Sequence, residues 1–382
     1  MYKYCFFIGF LGLCWLGACT SSKKLLERGD YYGAVLTAID KLQKSPNNSK
    51  ARQALRQAYP YAVNQLLNQA QHTKEANDPL RWSKTADAYQ QINRMYEAVQ
   101  RSPAAMQIVS HPKNYYKEYA DVKGKAAAEQ YKLGEKAMDR NTRESAKEAY
   151  YHFLKADEYD PGYLDVEDKI AESHYYATLK VVVEQMPVPS RYYKVSADFF
   201  QDQVAGYLHD FSGRNEFVRF YTPDEARREK LEPDQIVRLQ FEDFVVGETH
   251  TFQKEKTVTS QDSVKVGEVT LGDGQKVPVF DKVTAKLTTT RVEVASRGLL
   301  SMRILDGYSQ STVYNEDLPG EFVWFSEWAT YQGDERALTK EEKRLCKLRP
   351  VSPPPPQQLF VEFTKPIYEQ LTSRINRFYR NI

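Results

Sequence analysis

The chain is short of the residues that carry most protein chemistry. Among 382 residues there are four Cys and six His, and the His, at 72, 111, 152, 174, 209 and 250, are scattered. No two of them stand at metal-ligand spacing and no H-E-x-x-H occurs, so the sequence offers no metal centre. A G-x-S-x-G elbow and a Walker-type loop are also missing, and Gly267 to Gly274 reads as a hairpin, not a phosphate cradle. Carboxylate pairs such as Asp157/Glu158 and Glu242/Asp243 are plentiful, yet nothing sets one apart as an acid/base couple. The expectation is a protein with no catalytic residue, no bound metal and no cofactor. A hydrolase with an unfamiliar site is the weakest alternative. Four Cys are also too few for a disulfide scaffold.

Charge of one sign is lacking too. Lys and Arg number 53 against 51 Asp and Glu, so no basic field points to nucleic acid. No run is long enough to cross a bilayer. The apolar stretch Cys5 to Leu16 spans about 18 Å as a helix, against about 30 Å of hydrocarbon. With 41% hydrophobic and 27% charged residues, the remainder suits a folded chain of two or three domains.

What the sequence does have begins at its start. Lys3 precedes the apolar run, which ends Leu16-Gly17-Ala18-Cys19, the layout of a secretory signal peptide. This ending resembles the bacterial lipobox, in which small residues precede a Cys that is acylated and becomes the first mature residue. The resemblance implies a signal peptide over 1–18, a covalent lipid on Cys19 and a membrane-attached tether over 19–24. Thr20-Ser21-Ser22 follow with no Asp in the second mature position. By resemblance to Gram-negative lipoproteins, this implies the outer membrane. Lys23-Lys24 stand where surface-exported lipoproteins often carry acidic residues, which favours the periplasmic face. Cys346 is then left as the one free thiol of the body, read as a half-buried structural Cys.

Residues 25–176 read as helices. Ala149, Phe153, Ala156 and Pro161 resemble the second half of a tetratricopeptide repeat, and Ala34 and Pro46 keep the same separation in a degenerate copy. The resemblance implies a tetratricopeptide-like helical domain of six or seven helices. Leu55, Tyr59, Val63, Leu66 and Ala70 form one amphipathic stripe, which Pro60 is expected to kink or divide. Eighteen of the 27 Tyr fall between Tyr31 and Tyr193, often as adjacent pairs. Neighbours about 100° apart on a helix can place one ring inward and one on the rim.

After Tyr176 the period changes from helical to alternating. Thr178 to Val183 reads as a strand, Val195 to Leu208 as a helix with Phe199, Gln203 and Tyr207 in line, and Glu216 to Tyr221 as a short strand. Pro223-Asp224-Glu225-Ala226 starts a short helix. Val237, Leu239 and Phe241 alternate as a half-buried strand, Thr249 to Thr259 reads as one arm of a ribbon, and Gly272-Asp273-Gly274 marks a hairpin. Val283, Ala285 and Leu287 alternate in one phase and Val292 and Val294 in the other, so a bulge is expected within Thr288-Thr289-Thr290. The β-rich domain is drawn at 177–349, a proline-rich spacer at 350–358, and a closing strand (Leu359 to Phe363) with a C-terminal amphipathic helix at 359–382. Leu300 to Gly307, a strand ending in an acidic turn, resembles the α/β domain of periplasmic lipoproteins such as the curli-secretion pore lipoprotein and activators of peptidoglycan synthases.

The expected class is thus α+β: an N-terminal tetratricopeptide-like helical domain, then a β-rich α/β domain with a C-terminal helix. The expected function is a lipid-anchored cell-envelope scaffold or adaptor, binding a protein partner through its helical repeats. Trp324, Trp328, Tyr331 and Arg336 are the candidate partner-binding residues, because Trp, Tyr and Arg dominate interface energetics. The competing class is a surface glycan-binding lipoprotein of the starch-utilisation type, with glycan or peptidoglycan as ligand.

Overall fold

The computed structural model describes residues 22–187, 193–272, 275–380 and 382; Leu16, Gly17, Ala18 and Cys19 lie outside them. The chain divides between Ala177 and Thr178 into two compact units, one residue from the expected boundary.

Among the described residues, the first unit holds eight helices: α1 (Ser22–Glu27), α2 (Tyr31–Lys44), α3 (Ser49–Glu75), α4 (Arg81–Gln100), α5 (Pro103–Met106), α6 (Tyr116–Met138), α7 (Arg143–Tyr159) and α8 (Val166–Ala177). Polar caps set their starts: the Asp30 carboxylate accepts from Gly33 N–H and the Asn48 side chain from Ala51 N–H, while Thr142 and Ser145 form a reciprocal box. The long helices pack in chain order, α2 on α3, α3 on α4, α4 on α6, α6 on α7 and α7 on α8. Alanines make this approach close. Ala34, Ala38, Ala58, Ala62, Ala149 and Ala156 are all fully buried.

Phe153 fills the gap that the small residues leave. It lies so near Gly134 that a Cβ there would fall 2.6 Å from the ring. Pro46 and Pro161 occupy the turns after α2 and α7. Two hydroxyls tie distant helices: Tyr159 donates to Asp87 at 2.7 Å, and Tyr131 donates to Asp165. Pro60 neither divides nor ends its helix. It sits on the exposed side of an unbroken α3, where the carbonyl it leaves unbonded can meet water.

The second unit is built on a five-stranded sheet in the order β2-β1-β3-β6-β7. Its strands are β1 (Leu179–Val183), β2 (Val218–Tyr221), β3 (Gln235–Thr259), β6 (Thr284–Asp306) and β7 (Thr312–Gly333); β4 (Val264–Thr270) and β5 (Lys276–Asp281) form a separate two-stranded arm. β1 runs parallel to β2 and β3, whereas β3, β6 and β7 are antiparallel. Helices α9 (Lys194–Arg214) and α12 (Pro356–Tyr379) cover one face, where Phe200, Leu208, Leu239, Met302, Phe360 and Ile367 share a core. The opposite face takes α10 (Pro223–Glu229), against Val182 and Tyr221, and α11 (Lys340–Lys347), against Ala285 and Leu287.

A pair of glycines seats α12. Gly298 and Gly320 face each other across β6 and β7. A Cβ on Gly320 would fall 2.3 Å from the Phe363 carbonyl, and one on Gly298 would fall 2.6 Å from the Phe363 ring. Only bare backbone lets the helix come this close.

Several expectations change. Leu359 to Phe363 is helix, not strand: Leu359, Phe360, Phe363, Ile367, Leu371 and Ile375 keep one helical stripe, all of them buried, and α12 starts at Pro356, inside the expected spacer. Pro366 lies within the helix. The buried stripe of α9 is Phe200, Val204, Leu208 and Phe211, one residue along from the expected line; Phe199 is exposed. No register shift occurs at Thr288-Thr289-Thr290. The extra residues are Glu242 and Gly247, both on β3, which fuses the two expected strands into one. The change of phase along β6 has another cause. Ala285 and Leu287 are buried beneath α11 on one face, and Leu300, Met302 and Ile304 beneath α12 on the other. Asp273 and Gly274 of the hairpin lie outside the described residues, and Leu271 N–H bonds to the Gln275 carbonyl across it.

Candidate functional site

The apolar surface of the second unit is not all covered. β3 pairs with β1 only over Gln235–Val237, so from Arg238 to Thr259 its outer edge has no strand beside it among the described residues. β7 is likewise paired on one side only. The upper parts of β3, β6 and β7 therefore form a three-stranded ribbon with two open edges, the arrangement to which another extended chain can add.

One face of that ribbon carries exposed apolar side chains set among charged ones. Register places Val245 opposite Arg297, Phe252 opposite Arg291, Phe325 opposite Glu293, Val323 opposite Ala295 and Tyr331 opposite Leu287, all on one side of β6. Phe252 and Phe325 are each 54% exposed. The Arg291 guanidinium lies 4.3 Å above the Phe325 ring, a cation–π pair. His250 leans on Phe252 and stands 3.7 Å from Glu248.

The β4–β5 arm is barer still. None of its strand residues is buried, although Val269 pairs with Val277 and Gly267 with Val279 to make one apolar face. Val269 is 54% and Phe280 59% exposed. An isolated two-stranded hairpin is marginal in water, and such alternation normally marks a half-buried strand. The Arg336 guanidinium holds the arm's base, donating at 2.6 Å to the Lys265 carbonyl.

The expected partner-binding residues do not converge. Trp324 and Trp328 lie half-buried on the same face as Ser326, whose hydroxyl accepts from the Val351 N–H of the proline segment at 3.1 Å. Strand alternation puts Tyr331 on the other face. Arg336 pairs with Asp334 through Nε at 2.9 Å, and its hydrogen bonds pull the Asp334 carboxyl down to about 2. It fixes a turn. The repeat residues Ala34, Ala149, Phe153 and Ala156 are all core. His152 accepts or donates within packing, 2.7 Å from Gln130, and burial lowers its pKa. In α11, Cys346 is half-buried, and burial followed by Glu342 and Glu335 raises its thiol, which keeps it protonated. Among the described residues, no cluster of His, Cys, Asp and Glu could hold a metal ion, and no helix is long and apolar enough to cross a membrane.

Reading along the sequence missed Phe252, Phe325 and the valines of the arm. Their alternation was visible, but alternation reports that one face is apolar, not that something covers it.

No family model matches the chain, and no curated protein matches it. A crystal structure of a neuraminyllactose-binding hemagglutinin homolog from Helicobacter pylori is similar over 53% of this chain and 91% of that one. Its identity is 9% and its TM-score 0.22, a likeness too slight to carry fold or ligand from one chain to the other.

Proposed function

We propose that the chain is a lipid-anchored adaptor of the bacterial cell envelope that holds a protein partner. One observation carries this reading: the exposed apolar arm and ribbon with their open strand edges. Several large apolar side chains left in water on one hairpin and its neighbouring ribbon favour an interaction site, and open edges give a partner's extended segment backbone hydrogen bonds as well as side-chain contacts. The helical unit, read as tetratricopeptide-like repeats, provides a second surface for the same assembly. The lipobox-like ending at Cys19 supplies the anchor. A single acyl chain binds a membrane only marginally, so the several chains expected on such a Cys give durable attachment. The outer membrane, periplasmic face, is the proposed location.

The test is cross-linking in intact cells, with a photoreactive residue at Phe252 or at Val279, followed by mass spectrometry. One stoichiometric envelope protein should be captured at both positions, and Val269→Lys with Val277→Lys should remove it. Purification of the full chain from mild detergent with no stoichiometric partner overturns the adaptor reading. For the anchor, Cys19→Ala should accumulate as an unlipidated, uncleaved precursor. Unchanged acyl labelling would sink that part of the proposal.

A further inference from the structure

We infer that the cleft at the point where the strand order of the second unit reverses is a binding site for a neutral saccharide. β1 lies between β2 and β3. The chain leaves β1 through α9 to reach β2 on one side, then returns through α10 to reach β3 on the other. α9 and α10 lie on opposite faces, since Val181 and Val218 join the core under α9 while Val182 and Tyr221 pack on Ala226. In open sheets with parallel strands, a crevice forms at the carboxyl ends at such a reversal, and ligands bind there.

Such a crevice is present here. It encloses about 350 Å³ beyond the ends of β1 and β2 and against α9, within the usual range of about 300–1,000 Å³ for small-molecule sites. Its floor is apolar: Met186, Val204, Leu208 and Leu239 line it and are buried.

The rim selects the ligand class. Glu184, Asp224 and Glu225 line the cleft, and no Lys or Arg does among the described residues. Phosphates, sulfates and acidic sugars therefore find no counter-charge on the rim. A cation fares no better, because each carboxylate already has its partner. Glu184 takes both prongs of Arg238, at 2.6 and 3.0 Å. Asp224 pairs with Arg227, and Glu225 accepts from the Thr222 N–H and hydroxyl at 2.8 and 2.9 Å. What remains uncommitted is Gln185, Gln201 and His209, which line the cleft and whose side chains make no hydrogen bond among the described residues. Two carboxamides and an imidazole present donors and acceptors together. Set above an apolar floor, they complement a sugar ring, with hydroxyls around its edge and C–H groups on its face.

Saturation-transfer NMR on the full chain tests this, with maltose and N,N′-diacetylchitobiose as neutral probes and with spermidine and inorganic phosphate as charged ones. A neutral sugar should give saturable transfer, strongest at its ring C–H protons. Ala205→Trp, which fills the cleft from an exposed position on α9, should abolish it. Gln201→Leu should weaken it about ten-fold, the effect of one lost hydrogen bond. An unchanged thermal transition establishes that each variant is folded. The inference is overturned if neither sugar gives saturable transfer, if spermidine or phosphate displaces the sugar or binds the cleft in its place, or if Ala205→Trp leaves sugar binding intact.

Discussion

The two units use apolar residues in opposite ways. In the helical unit nearly every long helix meets the next through small residues, and the Phe153 and Tyr159 rings complete the core. In the sheet unit the lower half is filled by rings from α9 and α12, while the ribbon and arm above leave Phe252, Phe325, Val269 and Phe280 in water. The first unit's apolar residues largely account for its own fold. The second carries more than its fold needs, and that surplus is the surface proposed above to hold a partner.

Substitutions can break this contrast, starting with the core of the helical unit. Phe153→Ala should cost about 3–5 kcal/mol, because the ring fills the space above Gly134 and helices cannot collapse into it fully. Urea denaturation followed by helical circular dichroism reads the loss. Gly320→Ala should cost about 2–3 kcal/mol by forcing α12 off the sheet, and it should act on the sheet unit's transition. If Gly320→Ala proves neutral, the close seating of α12 is wrong.

Val269→Lys with Val277→Lys should shift stability by no more than about 0.5 kcal/mol, as expected of exposed positions, while abolishing partner capture. A large loss of stability would mean that the arm belongs to the core. The smallest effect is electrostatic. Asp334 lies below its ordinary 3.8 because Arg336 bonds its ionised form. A depressed carboxyl stabilises the fold above its ordinary value and loses that contribution as pH falls through about 2. Arg336→Ala should raise Asp334 toward its ordinary value without restoring it fully, because the backbone N–H at 336 still bonds the carboxylate; the carboxyl carbon shift by NMR reads the change, and the base of the arm should loosen.

Much of this architecture was readable from residue spacing. Ala149, Phe153 and Ala156 marked a buried helix face, and the change of period after Tyr176 fell beside the true boundary at Ala177. What escaped has physical reasons. Leu359-Phe360-Val361-Glu362-Phe363 is as good a strand as a helix over five residues, and only the stripe continuing to Ile375 decides it. The phase change along β6 looked like a slip because a single strand was assumed to bury one face throughout. It buries two faces in turn, under helices that come later in the chain. The cleft was out of reach in the sequence, since Gln185, Gln201 and His209 meet only through the strand order.

The position of α12 in the chain has a consequence for how the protein comes into being. Phe360, Phe363, Ile367 and Tyr379 are fully buried against a sheet that begins at Leu179. The Ser196 hydroxyl bonds to the Gln357 carbonyl and the Tyr207 hydroxyl to the Thr372 carbonyl, across 161 and 165 positions of sequence. Contacts that distant close slowly. During synthesis the helical unit can assemble turn by turn as it emerges, whereas the sheet stays open until the ribosome has passed Tyr379. For the exported chain proposed above, this leaves the second half unfinished, in a form that can still be threaded through a membrane.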